Sequence, residues 1–93
     1  MIQSIRGELT AQVLAGKPGK GFPANLSKIA VRKVAMLQAA HLLDDLRAPK
    51  ANRLEALKGD RVGQHSIRIN DPWRICFTWT QNSPANVEIV DYH

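Results

Sequence analysis

HSIRINDPWRICFTWT, residues 65–80, decides the fold of this chain. Successive side chains on a β-strand point to opposite faces. In HSIRIN, Ile67 and Ile69 face one way, and Ser66, Arg68 and Asn70 the other. In WRICFTWT, Trp73, Ile75, Phe77 and Trp79 share a face, and Arg74, Cys76 and Thr78 share the opposite one. Asn70, Asp71 and Pro72 form a turn between two strands. An odd-length loop keeps both apolar sets on one side. That register places Ile69 beside Trp73, Ile67 beside Ile75, and Arg68 directly across from Arg74.

Two arginines facing each other across strands repel and destabilise the pair. Three arrangements relieve this. An internal carboxylate can sit between them, a phosphate can be held by the forked guanidinium groups, or both side chains can splay into water.

Working outward, LEALKGD (54–60) and NVEIV (86–90) read as further β structure, with QNSPAN (81–86) as a turn. On the last strand, Val87, Ile89, Asp91 and His93 fall on one face, and Glu88, Val90 and Tyr92 on the other. The sequence given thus finishes on a carboxylate, a phenol and an imidazole at a sheet end, within reach of the arginine pair if this strand lies beside WRICFTWT. Toward the N-terminus, MIQSI alternates weakly and suggests a short first strand. Glu8 to Ala15 has Leu9, Val13 and Leu14 at helical spacing, with Gly16 as its stop. KPGKGFPAN (17–25) is a basic Gly/Pro loop. A long helix is expected from about Ser27, its N-cap, to Leu46, with Ile29, Met36, Leu37, Ala40 and Leu43 as its apolar stripe. RAPKAN breaks it. Two helices followed by consecutive strands predict an α+β fold, an antiparallel sheet covered by helices on one face. With 93 residues and no internal repeat, residues 1–93 are expected to form one domain.

Thirteen Lys and Arg against eight Asp and Glu give a formal net charge of +5. So small a basic domain attracts polyanions, unless the charge serves solubility or meets an acidic protein. Cys76 is the one cysteine, so no internal disulfide is available. No apolar run nears the ~20 residues of a membrane helix, and MIQSIRGELTAQ is too polar for a signal peptide. The expectation is a soluble, cytoplasmic protein.

Arg, Lys, His, Tyr and Asp without a metal motif are the parts of a metal-free ribonuclease. RNA carries its own nucleophile, the 2′-OH. Cleavage needs a base for that proton, an acid for the leaving 5′-oxygen, and cations for the charge growing on the phosphate. His93, beside Asp91, suits the acid. Arg74 and Arg68 suit the phosphate, and Lys58 can help there or activate the 2′-OH. Each feature alone has a plain reading: a terminal His is usually solvated, and LKGD is usually a turn. A metal site from His65, His93, Asp91 and Cys76 lacks any close ligand spacing, and no cofactor is expected.

NRLEALKGDRVGQHSIRINDPWRICFTW (52–79) together with VEIVDYH (87–93) resembles the HigB toxins of the RelE/ParE toxin superfamily. Residues 1–51 match that family mainly in pattern. The resemblance implies a small curved sheet against two helices, and a ribosome-dependent, metal-independent mRNA endonuclease from a bacterial toxin–antitoxin pair. It also implies a helix-turn-helix antitoxin as partner, and operator DNA bound only through the toxin–antitoxin complex. The family's functional positions fall on Lys58, Arg74, Asp91, Tyr92 and His93. Arg68 joins them on geometry, and Lys17, Lys20 and Arg61 are further candidates for RNA contact; Lys17, Lys20, Lys28 and Arg32 suit either ribosomal RNA or the antitoxin. Two departures stand out. Glu55 replaces a His of many relatives, and Gln64 and His65 stand where an aromatic often precedes the SI strand. Slower or differently selective cleavage is expected. The competing readings are a DNA gyrase poison of the ParE kind and a non-catalytic RNA- or antitoxin-binding module.

Overall fold

The computed structural model describes residues 1–17 and 21–91. Its sheet has four strands in the order β1-β2-β3-β4: β1 (Glu55–Ala56), β2 (His65–Arg68), β3 (Trp73–Thr80) and β4 (Ser83–Asp91). Every pairing between these strands is antiparallel. Two α-helices, α1 (Glu8–Leu14) and α2 (Ser27–Ala39), precede the sheet. The α+β architecture is the one the strand and helix periodicities predict.

The β2–β3 register is as expected, with Ile67 opposite Ile75 and Arg68 opposite Arg74. Asn70 fixes the connecting turn: its side-chain oxygen accepts the Trp73 N–H at 3.0 Å. One sheet face carries Ile67, Ile69, Trp73, Ile75, Phe77, Val87 and Ile89 into a core shared with Val13, Phe22, Ala30, Val34, Leu37 and Leu46. Phe22 meets Trp73 edge-on, with ring centroids 4.9 Å apart.

Of LEALKGD only Glu55–Ala56 pairs as a strand, and a 3-10 turn covers Gly59–Arg61. Three further segments differ from expectation. The 81–86 turn is only two residues long. Gln81 and Asn82 both take positive φ (52° and 64°), the paired left-handed conformation of the tight hairpin turns that match strand twist. β4 therefore starts at Ser83 and includes Pro84, and Asn86 (φ 51°) is the extra residue of a bulge opposite Cys76–Thr78. Second, MIQSI forms no full strand. Residues 3–6 run parallel along the outer edge of β4, with Gln3 and Arg6 N–H groups donating to Pro84 and Val87 carbonyls and the Val87 N–H to the Ser4 carbonyl. The buried Thr10 hydroxyl of α1 accepts the Ile89 N–H at 2.9 Å. These contacts cover that edge.

Third, the helix expected to run to Leu46 ends at Ala39. Ala40 is extended, and a 3-10 turn covers Leu43–Arg47. The Asp45 carboxylate accepts the His41 and Leu42 N–H groups, both at 3.0 Å. That capping side chain satisfies the orphan donors of the second turn, which competes with helix continuation. The Ser27 side chain makes no cap; Leu26 occupies the N-cap position after a preceding 3-10 turn.

The buried face of α2 is Ala30, Lys33, Val34 and Leu37. Ile29 and Met36 of the expected stripe are half-buried. Lys33 is thus a lysine inside the protein. Its ammonium donates to the side-chain oxygen of the fully buried Asn52. Asn52 in turn donates to the carbonyls of Leu46 (3.1 Å) and Ala48 (3.4 Å). This node ties α2 to the 46–52 segment. Burial, and then the positive charges of Arg32 and Arg68, push the Lys33 ammonium below the usual lysine range. Asn52→Ala should cost about 2 kcal/mol, since it strands a buried ammonium and two buried carbonyls. Lys33→Met keeps the volume but leaves the Asn52 side-chain oxygen buried without its donor, so it should be destabilising as well, offset in part by loss of the buried charge. Chemical denaturation of both variants checks this pair; wild-type stability in either would show that the hydrogen bond does not hold the node.

Candidate active site

The face of the sheet away from the helices is polar. Its cross-strand rows follow from the register. Glu55, Ser66, Cys76 and Glu88 form one row, and Arg68, Arg74 and Val90 the next. Two residues along a strand separate the rows by about 7 Å.

Arg68 is answered from within the protein. The Asp71 carboxylate of the hairpin turn accepts its Nε–H (3.1 Å) and Nη2–H (2.7 Å). Arg74 is not answered in that way. It is half-buried, and among the described residues its buried Nε–H has no hydrogen-bond partner. A buried donor without a partner carries a desolvation cost that a hydrogen-bond acceptor would relieve. Asp91 pairs with Trp73 across β3–β4, one residue from the Arg74 row, and is exposed.

Arg61 reaches the neighbouring row from the loop joining β1 to β2. It donates to Gln64 (3.0 Å) and Glu88 (3.3 Å). Together with Arg6, Asp60 and Gln64, these groups line a polar pocket of about 550 Å³. Lys58 is exposed in the same loop. That loop enters β2 at His65, about 10 Å along the strand from Arg68. The sheet therefore brings Arg68 and Arg74 together, with Arg61 one row away; Asp91 lies next to them at the sheet end but at the register position of Trp73, which alternation assigns to the opposite face, and Lys58 comes from the other end of β2. Lys17 follows α1 on the helical side and is exposed. Lys20, Tyr92 and His93 lie outside the described residues.

The two departures noted in the sequence have defined places. Glu55 is exposed opposite Ser66, in the row next to the arginines. His65 packs over Phe77 on the core side of β2, with ring centroids 6.1 Å apart and planes at 26°. It is not on the arginine face, so it supplies no stacking platform there. Asp71, which the sequence shows only as a turn residue, is the internal carboxylate that was one of the options for relieving the arginines. The signal was its position three residues after Arg68, in the turn.

Hydrogen bonding and charge from Arg68, with Arg53 and Arg74 farther off, hold the Asp71 carboxyl below the usual carboxylate range. The carboxylate-bound state therefore gains stability above the ordinary carboxylate pKa of about 4. It loses that stability as pH falls through the lower folded value, so at neutral pH the pair is formed. Asp71→Ala should release Arg68 to a phosphate. Binding of short single-stranded RNA, followed by fluorescence anisotropy over a salt series, should then tighten, and its log–log salt slope should steepen by about 0.7. An unchanged slope would show that Arg68 stays off the RNA.

A small α+β domain with a basic sheet face backed by two helices is the class to which the RelE-like toxins belong. The chain belongs to the HigB family: residues 13–93 match the model of the RelE-like toxin of type II toxin-antitoxin system HigB. It is 38% identical to Toxin HigB-1 of Vibrio cholerae serotype O1 over 65 residues, covering 70% of this chain and 68% of that protein. It is 37% identical to an uncharacterized protein of Haemophilus influenzae over 66 residues, covering 71% of this chain and 65% of the relative. As a toxin of a type II system, it implies an antitoxin partner. Among the described residues, no helix is long and apolar enough to cross a membrane.

Proposed function

We propose that this toxin is an endoribonuclease that cuts mRNA on the translating ribosome and so stops translation. The observation that carries the reading is Arg74. Its buried Nε–H, without a partner among the described residues, stands beside Arg68 on an otherwise polar sheet face. A scissile phosphate supplies the oxygens that such a pair lacks, and its charge grows in the transition state, where preorganised donors act most strongly. Arg74 is the primary phosphate clamp. Arg68 joins it by exchanging Asp71 for the phosphate. His93 is the general acid for the leaving 5′-oxygen, Lys58 or Asp91 takes the proton of the 2′-OH, and Tyr92 is a further member of the catalytic set. This set asks nothing of a metal ion. Arg61, Lys17 and Lys20 contact RNA away from the scissile bond. A helix-turn-helix antitoxin is the partner, and operator DNA is reached only through the toxin–antitoxin complex. The protein acts in the cytoplasm, where its substrate is.

Such a small domain presents an open face rather than a deep groove, and the ribosome serves to fix the codon over it. The test is primer extension on mRNA from cells after induction, repeated with purified ribosomes and with naked RNA. Cuts within coding sequence that require ribosomes support the reading. Intact mRNA in arrested cells with damaged DNA would replace it with gyrase poisoning.

A further inference from the structure

α2 has two faces of different use. Ala30, Lys33, Val34 and Leu37 face the core. Lys28, Val31, Arg32 and Ala35, at positions i, i+3, i+4 and i+7, share the opposite face and are exposed. Val31 is 40% exposed, unusual for a β-branched residue in mid-helix. Beside it runs an open groove of about 440 Å³ lined by Gly16 at the end of α1 and by Ser27, Lys28, Val31 and Arg32. The groove has an apolar floor at Val31 and cationic rims at Lys28 and Arg32. Among the described residues no acidic one lines it, and SKIAVRKVAMLQA, the whole of α2, contains none.

We infer that this groove between α1 and the outer face of α2 is the docking site for an acidic, amphipathic helical segment of the antitoxin. The charge asymmetry selects the occupant's sign, and the exposed valine selects its class. A phosphate backbone would satisfy Lys28 and Arg32 but would leave Val31 in water. A helix with apolar residues spaced three and four apart, flanked by Glu or Asp, covers the valine and answers both cations. The site lies on the helical layer, whereas Arg68 and Arg74 are on the other side of the sheet. A helix held here leaves the arginine face open. The inference rests on the toxin–antitoxin assignment, not on the nuclease reading.

The experiment is isothermal titration of the full-length toxin with its purified antitoxin, using wild type, Val31→Asp and the double variant Lys28→Glu/Arg32→Glu. Circular dichroism melts verify that each variant is folded, as expected for changes on an exposed helix face. Val31→Asp should weaken binding by ~30-fold or more, the size of a central interface residue. The double variant should weaken it by at least ~10-fold and flatten its dependence on salt. Affinities equal to wild type in both folded variants would overturn the proposal. So would variants that keep the antitoxin but lose the ribosome, which would make this an RNA-binding face. Should wild type fail to cut mRNA yet lose its antitoxin through these substitutions, the nuclease reading falls and the docking site stands.

Discussion

Arg74→Ala is expected to lower ribosome-dependent mRNA cleavage by about 100-fold or more, the usual cost of removing one preorganised donor from a developing anion. Arg74 and Arg68 share a face of adjacent strands, and the register puts them directly opposite each other. A pair of like charges in that position destabilises the sheet. Asp71 offsets half of the problem through Arg68. The Arg74 Nε–H remains buried without a partner among the described residues. Removing Arg74 therefore relieves a repulsion and an orphan donor together, so the variant should melt at or above the wild-type temperature. Loss of activity in a protein of equal or higher stability cannot be ascribed to unfolding. Arg74→Lys sharpens the test. It keeps the charge but loses the planar fork, and should recover only part of the rate. Cleavage by Arg74→Ala at the wild-type rate would remove Arg74 from the site.

Deleting Tyr92 and His93 is expected to leave a folded protein whose cleavage rate falls by about 10²–10⁴-fold, the span of a general acid. The fold should survive because β3 and β4 pair from Thr80–Ser83 to Trp73–Asp91 without the deleted residues. The outer edge of β4 is also held by residues 3–6 and by Thr10, all upstream of the deletion. His93→Gln, with Tyr92 retained, should reproduce most of the loss if the imidazole is the acid. Growth arrest and primer extension on the truncated protein read the outcome. A truncated form that still cuts mRNA would move the acid elsewhere, and Lys58 would be the next residue to substitute.

Alternation in two short stretches was enough to assign the sheet faces, the Arg68–Arg74 register and the α+β class. These are consequences of strand geometry, which depends on a period of two and on one turn, so they are written locally. The two helices could be read for the same reason, by their period. Most of what the sequence could not show concerns polar groups whose partners lie elsewhere in the chain. The end of α2 at Ala39 was hidden because no Gly or Pro marks it; the Asp45 carboxylate, six residues on, satisfies the backbone there. Lys33 reads as one more surface cation until the fold sets Asn52, nineteen residues later, against it. The role of Asp71 was open until its carboxylate closed onto Arg68. The outer face of α2 could be recognised as exposed only once its inner face had been assigned. Local periodicity determined which surfaces exist. Tertiary packing decided which charges on them are already answered, because a buried or crowded charge must find a partner wherever the folded chain supplies one; of the two facing arginines, Arg68 is answered by Asp71, and the buried Nε–H of Arg74 has no partner among the described residues.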